Sequence, residues 1–169
     1  VSAEYHWGRS WGYLEAAGIW RYLEWNDTGA GVDSLSGEAV GWGVNLSSNI
    51  NMEGRAETNN TLRLQVAYGE GIQNYFNDAT VDVGIFATGD PAHPFDAEAL
   101  AILGVVAFYD HYWSNRWSTS VGYSLVSNEN SEGQTPDAFK RGHYALANLL
   151  HYPAKNVMLG GELQWGERE

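Results

Sequence analysis

No cysteine occurs in the 169 residues. This excludes a disulfide framework and thiolate metal sites, and leaves the compartment open. Proline is scarce, at 4 residues, so extended segments can run with few interruptions. Basic side chains number 9 against 21 acidic ones, for a formal net charge of -12. A chain so poor in Lys and Arg lacks the footprint for binding phosphates, and nucleic acid is not an expected partner. The longest apolar run, Ala99 to Tyr109, falls well short of the roughly 20 residues of a membrane helix. Sustained 3.6-residue periodicity with caps is also missing.

Recognisable catalytic and cofactor motifs are missing too. The histidines stand at 6, 93, 111, 143 and 151 without metal-ligand spacing. Gly69-Glu70-Gly71 is followed by neither a helix nor a Lys-Ser/Thr pair, so it does not read as a phosphate loop. There is no G-x-S-x-G. No enzyme activity, metal or cofactor is expected. The opening Val1-Ser2-Ala3-Glu4 is patterned sequence rather than a signal peptide, as expected of a mature or truncated form.

What is abundant is aromatic and small: 8 Trp, 10 Tyr and 20 Gly, which suits strands with girdles of ring side chains. The period is two almost throughout. Val40, Trp42, Val44, Leu46 and Ile50 oppose Gly41, Gly43, Asn45, Ser47 and Asn49. Leu62, Leu64, Val66 and Tyr68 oppose Arg63, Gln65, Ala67 and Gly69. The pattern predicts about eight strands, near 1–8, 11–26, 38–51, 61–71, 98–113, 116–129, 139–152 and 156–167. Two stretches break it. Ile19 and Leu23 share the polar face of their strand, and both faces of 99–113 are apolar until Asp110. A strand covered on both sides, by a folded loop or a subunit contact, reads that way.

Connections alternate in length. Short turns fall at Gly8-Arg9-Ser10, Ser114-Asn115 and Pro153-Ala154-Lys155, while long polar loops occupy 27–37, 72–97 and 130–138. The link at Met52–Asn60 is intermediate and fits least well. Strands of this length with alternating short and long connections predict an all-β, antiparallel, up-and-down transmembrane β-barrel, with 1–169 as one domain. Trp7, Trp11, Trp113, Trp117 and Tyr152 would form one membrane-interface belt, and Trp25, Tyr68 and Trp165 the other. Counting strands from the short turns puts both ends of the segment on the outer side. That predicts an interior stretch of a longer barrel rather than a self-contained small one.

Several phrases, in order along the chain, resemble the DcaP-like family of trimeric outer-membrane porins. They are Gly41-Trp42-Gly43-Val44-Asn45-Leu46, Leu62-Arg63-Leu64-Gln65 leading to Tyr68-Gly69-Glu70-Gly71-Ile72, and His111-Tyr112-Trp113-Ser114-Asn115-Arg116-Trp117. Phe139-Lys140-Arg141, Ala147-Asn148-Leu149-Leu150 and Gly161-Glu162-Leu163-Gln164-Trp165-Gly166 follow. The resemblance implies a sixteen-stranded barrel of which this chain supplies the C-terminal part. It also implies a homotrimer in outer-membrane lipid of a bacterial cell, and passive diffusion of small hydrophilic solutes, often anions such as dicarboxylates.

Pore selectivity comes from charged side chains facing water. The expected pore-lining set is Arg21, Arg63, Arg116, Arg141 and Arg168 with Glu4, Glu15 and Glu162. Most other acids fall in loops and turns, among them Asp27, Asp33, Glu53, Glu57, Asp78 and Asp137. Two readings of the arginines stand side by side: a cationic track for anions, or pairs with Glu15, Glu162 or Asp110 that only satisfy the wall. The loop 71–97 supplies constriction candidates Asp82, Asp90, His93 and Asp96, and Val81 to Thr88 within it reads as a short extra strand. Either it folds inward or it is a surface loop. The rival classes are a soluble all-β glycoside hydrolase using Glu15 and Glu162 as its carboxylate pair, and a structural outer-membrane barrel with no open pore.

Overall fold

A computed structural model describes residues 1–26, 28, 36–53, 58, 60–77, 81–91 and 93–169. Among these described residues, ten strands follow in chain order: β1 (Ser2–Arg9), β2 (Gly12–Trp25), β3 (Gly37–Met52), β4 (Asn60–Glu70), β5 (Val83–Asp90), β6 (His93–Ala99), β7 (Ala101–Ser114), β8 (Trp117–Asn128), β9 (Arg141–Ala154) and β10 (Val157–Arg168). One 3₁₀ turn, Gln73–Tyr75, lies between β4 and β5. Eight strands form an antiparallel sheet in the order β1-β2-β3-β4-β7-β8-β9-β10, and β5 and β6 pair as a separate hairpin. Each expected strand has its counterpart. The sheet is open rather than a closed barrel: β1 and β10 are its edges, exposed along their whole lengths.

Neighbouring strands pair in sequence order except where the hairpin is looped out between β4 and β7. The strand ends at Arg9 and Gly12, Met52 and Asn60, Ser114 and Trp117, and Ala154 and Val157 therefore share one end of the sheet, and those at Trp25 and Gly37, Glu70 and Ala101, and Asn128 and Arg141 share the other. The intermediate link belongs with the short turns. Register is continuous over long stretches, from Gly12↔Ile50 to Trp25↔Gly37 between β2 and β3. A one-residue slip would send every apolar side chain to the wrong face, so the alternation fixes the pairing.

The apolar run that predicted a strand from 98 breaks at Leu100. There the backbone turns to the preceding segment: the Leu100 amide donates to the Asp82 carbonyl at 3.0 Å, and its carbonyl accepts from Gly71 N at 2.9 Å. With both groups so engaged, residues 93–99 leave the main sheet and pair with β5 as β6. The expected extra strand at 81–88 is β5, and its partner was not foreseen.

The two faces differ sharply. One carries Leu14, Val44, Leu46, Val66, Val121, Leu149 and Leu163, all exposed. The other carries Glu15, Asn45, Ser47, Arg63, Gln65, Asp110, Ser120, Asn148 and Glu162, related strand to strand by the register. Burial is concentrated where loop meets sheet, at Ile72, Gln73, Leu100, Ile102, Asn128 and Phe139. The polar face, rather than a core between two layers, receives the covering segment. We call it the inner face.

Candidate functional site

A polar belt crosses the inner face. Gln65 Nε2 donates to Asn45 Oδ1 at 2.8 Å, and Arg63 Nε donates to Asp110 Oδ2 at 2.8 Å. Ser120 Oγ donates to Asp110 Oδ1 at 2.6 Å, while Asn148 Oδ1 accepts from Ser120 N at 2.8 Å. Asn148 Nδ2 reaches Glu162 at 3.4 Å, and Gln164 donates to the same carboxylate. Near the other edge, Glu15 accepts from Ser47 Oγ and lies 3.1 Å from His6 Nδ1. Side chains that bond sideways along a wall while remaining open on one side are suited to contact with water.

Above this belt, toward the long-loop end, the segment 71–77 lies against the sheet. Glycines make room for it. A Cβ at Gly43 would stand 2.6 Å from Ile72 Cδ1, one at Gly69 2.8 Å from the same atom, and one at Gly41 2.9 Å from the Gly71 carbonyl. Gly104 lies under the Phe76 ring. Gln73, 1% exposed, donates from Nε2 to the Leu100 carbonyl and to Asn128 Oδ1, both at 2.9 Å. The apolar interruptions in the alternation are explained here. Ile19 and Leu23 sit beneath Ile72 and Gly71, and Ile102, 1% exposed, pairs with Gly69. A concavity of about 760 Å³ remains beside the segment. Ser2 and Glu4 of β1, Gln65 of β4 and Ser124 of β8 share it with Tyr75 and Phe76, so the sheet curls around one space.

Of the expected pore-lining residues, Arg21, Arg63, Arg168, Glu4, Glu15 and Glu162 lie on the inner face by register. Two do not. Arg116 is in the β7–β8 turn, where its carbonyl accepts from Tyr152 N at 2.9 Å. Arg141 falls on the opposite side, because Ser127 pairs with it and Gly142 takes the inward position; its guanidinium is 3.7 Å from Glu169. Arg168 stands over the Phe139 ring at 5.9 Å. Wall-pairing describes Arg63, whose partner is Asp110 as foreseen. Arg21 also has an acidic partner, Asp82, which comes from the loop rather than the wall. Asp110→Asn removes the carboxylate charge that Arg63 shares with Ser120, and is expected to leave the half-exposed guanidinium without its ion pair.

Of the constriction candidates whose side chains are described, Asp82 alone lies at the inner face. Asp90 and Asp96 are exposed on the β5–β6 hairpin, which leans on the 129–140 loop through Ser131 Oγ and Gly133 N, both donating to the Ile85 carbonyl. The hairpin spacing hid this, because Asp82 looks no different in sequence from its loop neighbours. The His93 side chain lies outside the described residues, as do Asp27, Asp33, Glu57 and Asp78. In the 129–140 loop, a hydrogen bond from the Thr135 side chain holds the Asp137 carboxyl below its usual range. Glu15 and Glu162 are not brought together as a catalytic pair. They stand six strand steps apart, about 29 Å along the sheet at about 4.8 Å per step.

The aromatic belts also need correction. Trp7, Trp113, Trp117, Tyr68 and Trp165 lie on the apolar face and are exposed, and Trp11 meets Trp7 edge-on at 6.1 Å. Tyr152 points the other way, its hydroxyl 3.0 Å from Ser118 Oγ, and Trp25 covers Gly37 on the inner side. Trp20, Tyr22, Trp42 and Tyr123 belong with the loop-end ring group and were missed. Their period-two position would have found them. His151 stacks on Trp117 at 4.2 Å and His143 bonds Tyr123 at 2.5 Å, so two histidines join the rings.

No group of three or more metal-ligating side chains occurs among the described residues. No helix among them is long and apolar enough to cross a membrane, which leaves strands unaddressed. No protein-family model, no curated protein and no solved structure matches the chain.

Proposed function

We propose that this chain is part of the wall of a β-barrel in a bacterial outer membrane, and that the barrel lets small hydrophilic solutes diffuse through. The carrying observation is the separation of the faces. An apolar surface exposed on seven or more strands and bordered at both ends by rings is costly in water, where contiguous apolar patches of this kind are rare. Against lipid it is the favourable arrangement, with the polar face turned to a wet interior. Between the ring groups on β8, Trp117 and Tyr123 are six residues apart, or about 20 Å along the strand. At a strand tilt of about 40° this spans about 15 Å across the membrane, so both rings fall within the roughly 25 Å apolar band of outer-membrane barrels.

The open edges follow from the same reading: β1 and β10 expose unpaired backbone that a barrel would pair with further strands. The solute class is narrower to argue. The resemblance to DcaP-like porins favours anions such as dicarboxylates, and homotrimers. On the inner face, however, Arg21 and Arg63 are already matched by carboxylates. Small size and hydrophilicity are therefore the better-supported criteria.

The protein as isolated from its source, reconstituted in a planar bilayer, should give discrete conductance steps, and it should stay monodisperse only in detergent. Monodispersity in plain buffer would sink the membrane reading. Membrane insertion without conductance would leave a structural barrel.

A further inference from the structure

Among the described residues, a single ion pair joins the segment after β4 to the wall. Arg21, on β2, donates from Nη1 to the Gly71 carbonyl at 2.6 Å and to Asp82 Oδ2 at 2.9 Å. Its guanidinium also stands 5.3 Å from the Tyr75 ring centroid. Both charged side chains are mostly covered, at 19% and 10% exposure. Asp82 collects more than this cation: Oδ1 accepts from Asn74 N at 3.0 Å and Oδ2 from Asn74 Nδ2 at 2.6 Å. The backbone carbonyl of the same residue accepts from Leu100 N. One residue thus ties together the wall, the 3₁₀ turn and the start of the return to β7.

We propose that Arg21 and Asp82 form a latch that holds residues 71–77 across the inner face, and that this latch sets the bore of the passage. The glycine seats supply shape but no bond, and the Gln73 contacts anchor the segment to the β7–β8 side. Beside the packing of Ile19 and Leu23, the Arg21 contact is the charged tie between the segment and β2 among the described residues. Charge-assisted hydrogen bonds are roughly twice as strong as neutral ones, and a covered charge whose partner is removed is left uncompensated. Losing either partner therefore favours positions of the segment in which the other regains water, and those lie away from the wall. A second consequence concerns selectivity: Arg21 is spent on holding the loop and is not a binding group for solute.

The bore depends on the diffusion-channel reading; the latch itself does not, so two measurements are made on the whole protein. Unit conductance in planar bilayers should rise about two-fold in Arg21→Met and in Asp82→Asn, since conductance follows the narrowest section. Asn74→Ala, a milder change, should shift it in the same direction by less. The exchanged pair, Arg21→Asp with Asp82→Arg, should move back toward the original value. In detergent, amide hydrogen exchange of residues 71–77 should quicken in Asp82→Asn while that of β3 and β8 stays unchanged. If exchange in 71–77 is unaltered, no latch exists. If exchange quickens but a conducting protein keeps its unit conductance, the latch does not set the bore. If the unaltered protein never conducts, the channel reading fails and the exchange result alone decides the latch.

Discussion

Leu46→Arg is expected to destabilise the folded protein in lipid by about 2–4 kcal/mol, the range for a cation at the bilayer midplane of a barrel. Leu46 lies in the middle of β3, paired with Ala16 on one side and Val66 on the other, and is 60% exposed on the apolar face. The described residues leave it largely uncovered, so the size of the change measures the surroundings rather than a lost contact. On a water-exposed sheet the same substitution would fall within about ±0.5 kcal/mol, as surface changes generally do. Denaturant unfolding in lipid vesicles reads the difference directly. Val40→Arg, close to the loop end on the same face, serves as the depth control and should cost only about 0–1 kcal/mol. Two equal and small values would place this face in water and remove the basis of the membrane assignment.

The second large effect concerns the seat of the folded-in segment. Gly69→Val should destabilise by about 3 kcal/mol, the upper end of the usual overpacking range. Its added Cβ would press on the Trp42 carbonyl, 2.6 Å from Gly43 Cα and 2.8 Å from Ile72 Cδ1. Two of those three neighbours are backbone, and they can yield only by spreading β3 from β4. Gly161→Val is the control, because nothing lies within 4 Å of a Cβ there. With Val favoured over Gly in strands on a scale that spans about 1 kcal/mol, it should be neutral or slightly stabilising. Comparing their denaturation midpoints tests whether close approach of backbone and loop explains the glycine. Equal midpoints would mean that the sheet relaxes around Gly69 and that the seat is not tightly built.

The two substitutions probe opposite faces, and together they separate what patterning implies from what packing implies. The apolar face could be named residue by residue from period-two spacing, because a strand offers a side chain only two directions. Trp20, Tyr22 and Trp42 were omitted from the expected belts although they obey the same rule. Arg141 and Tyr152 fall on the other face because β9 alternates weakly: Tyr144, Leu146 and Leu150 share the inner side with Asn148, while Arg141 and His143 share the outer side with Ala147 and Leu149. Arg116 failed differently. The β7–β8 turn includes it, and turn residues have no face.

The amino-acid sequence alone determined the eight main strands, their antiparallel succession and which end bears the long connections. Each depends on neighbours close in the chain: alternation along a strand, and the length of the link to the next. It also held a trace of the covered inner face, in Ile19, Leu23 and the doubly apolar start of β7, but without saying what covers them. Tertiary structure decided that. The covering is residues 71–77, seated on Gly41, Gly43, Gly69 and Gly104 and tied to Arg21 through Asp82. Arg21 and Asp82 are 61 positions apart, and no local period relates a wall cation to one acid among many in a long loop. Only folding, which makes an unpaired charge costly where water is excluded, selects that partner.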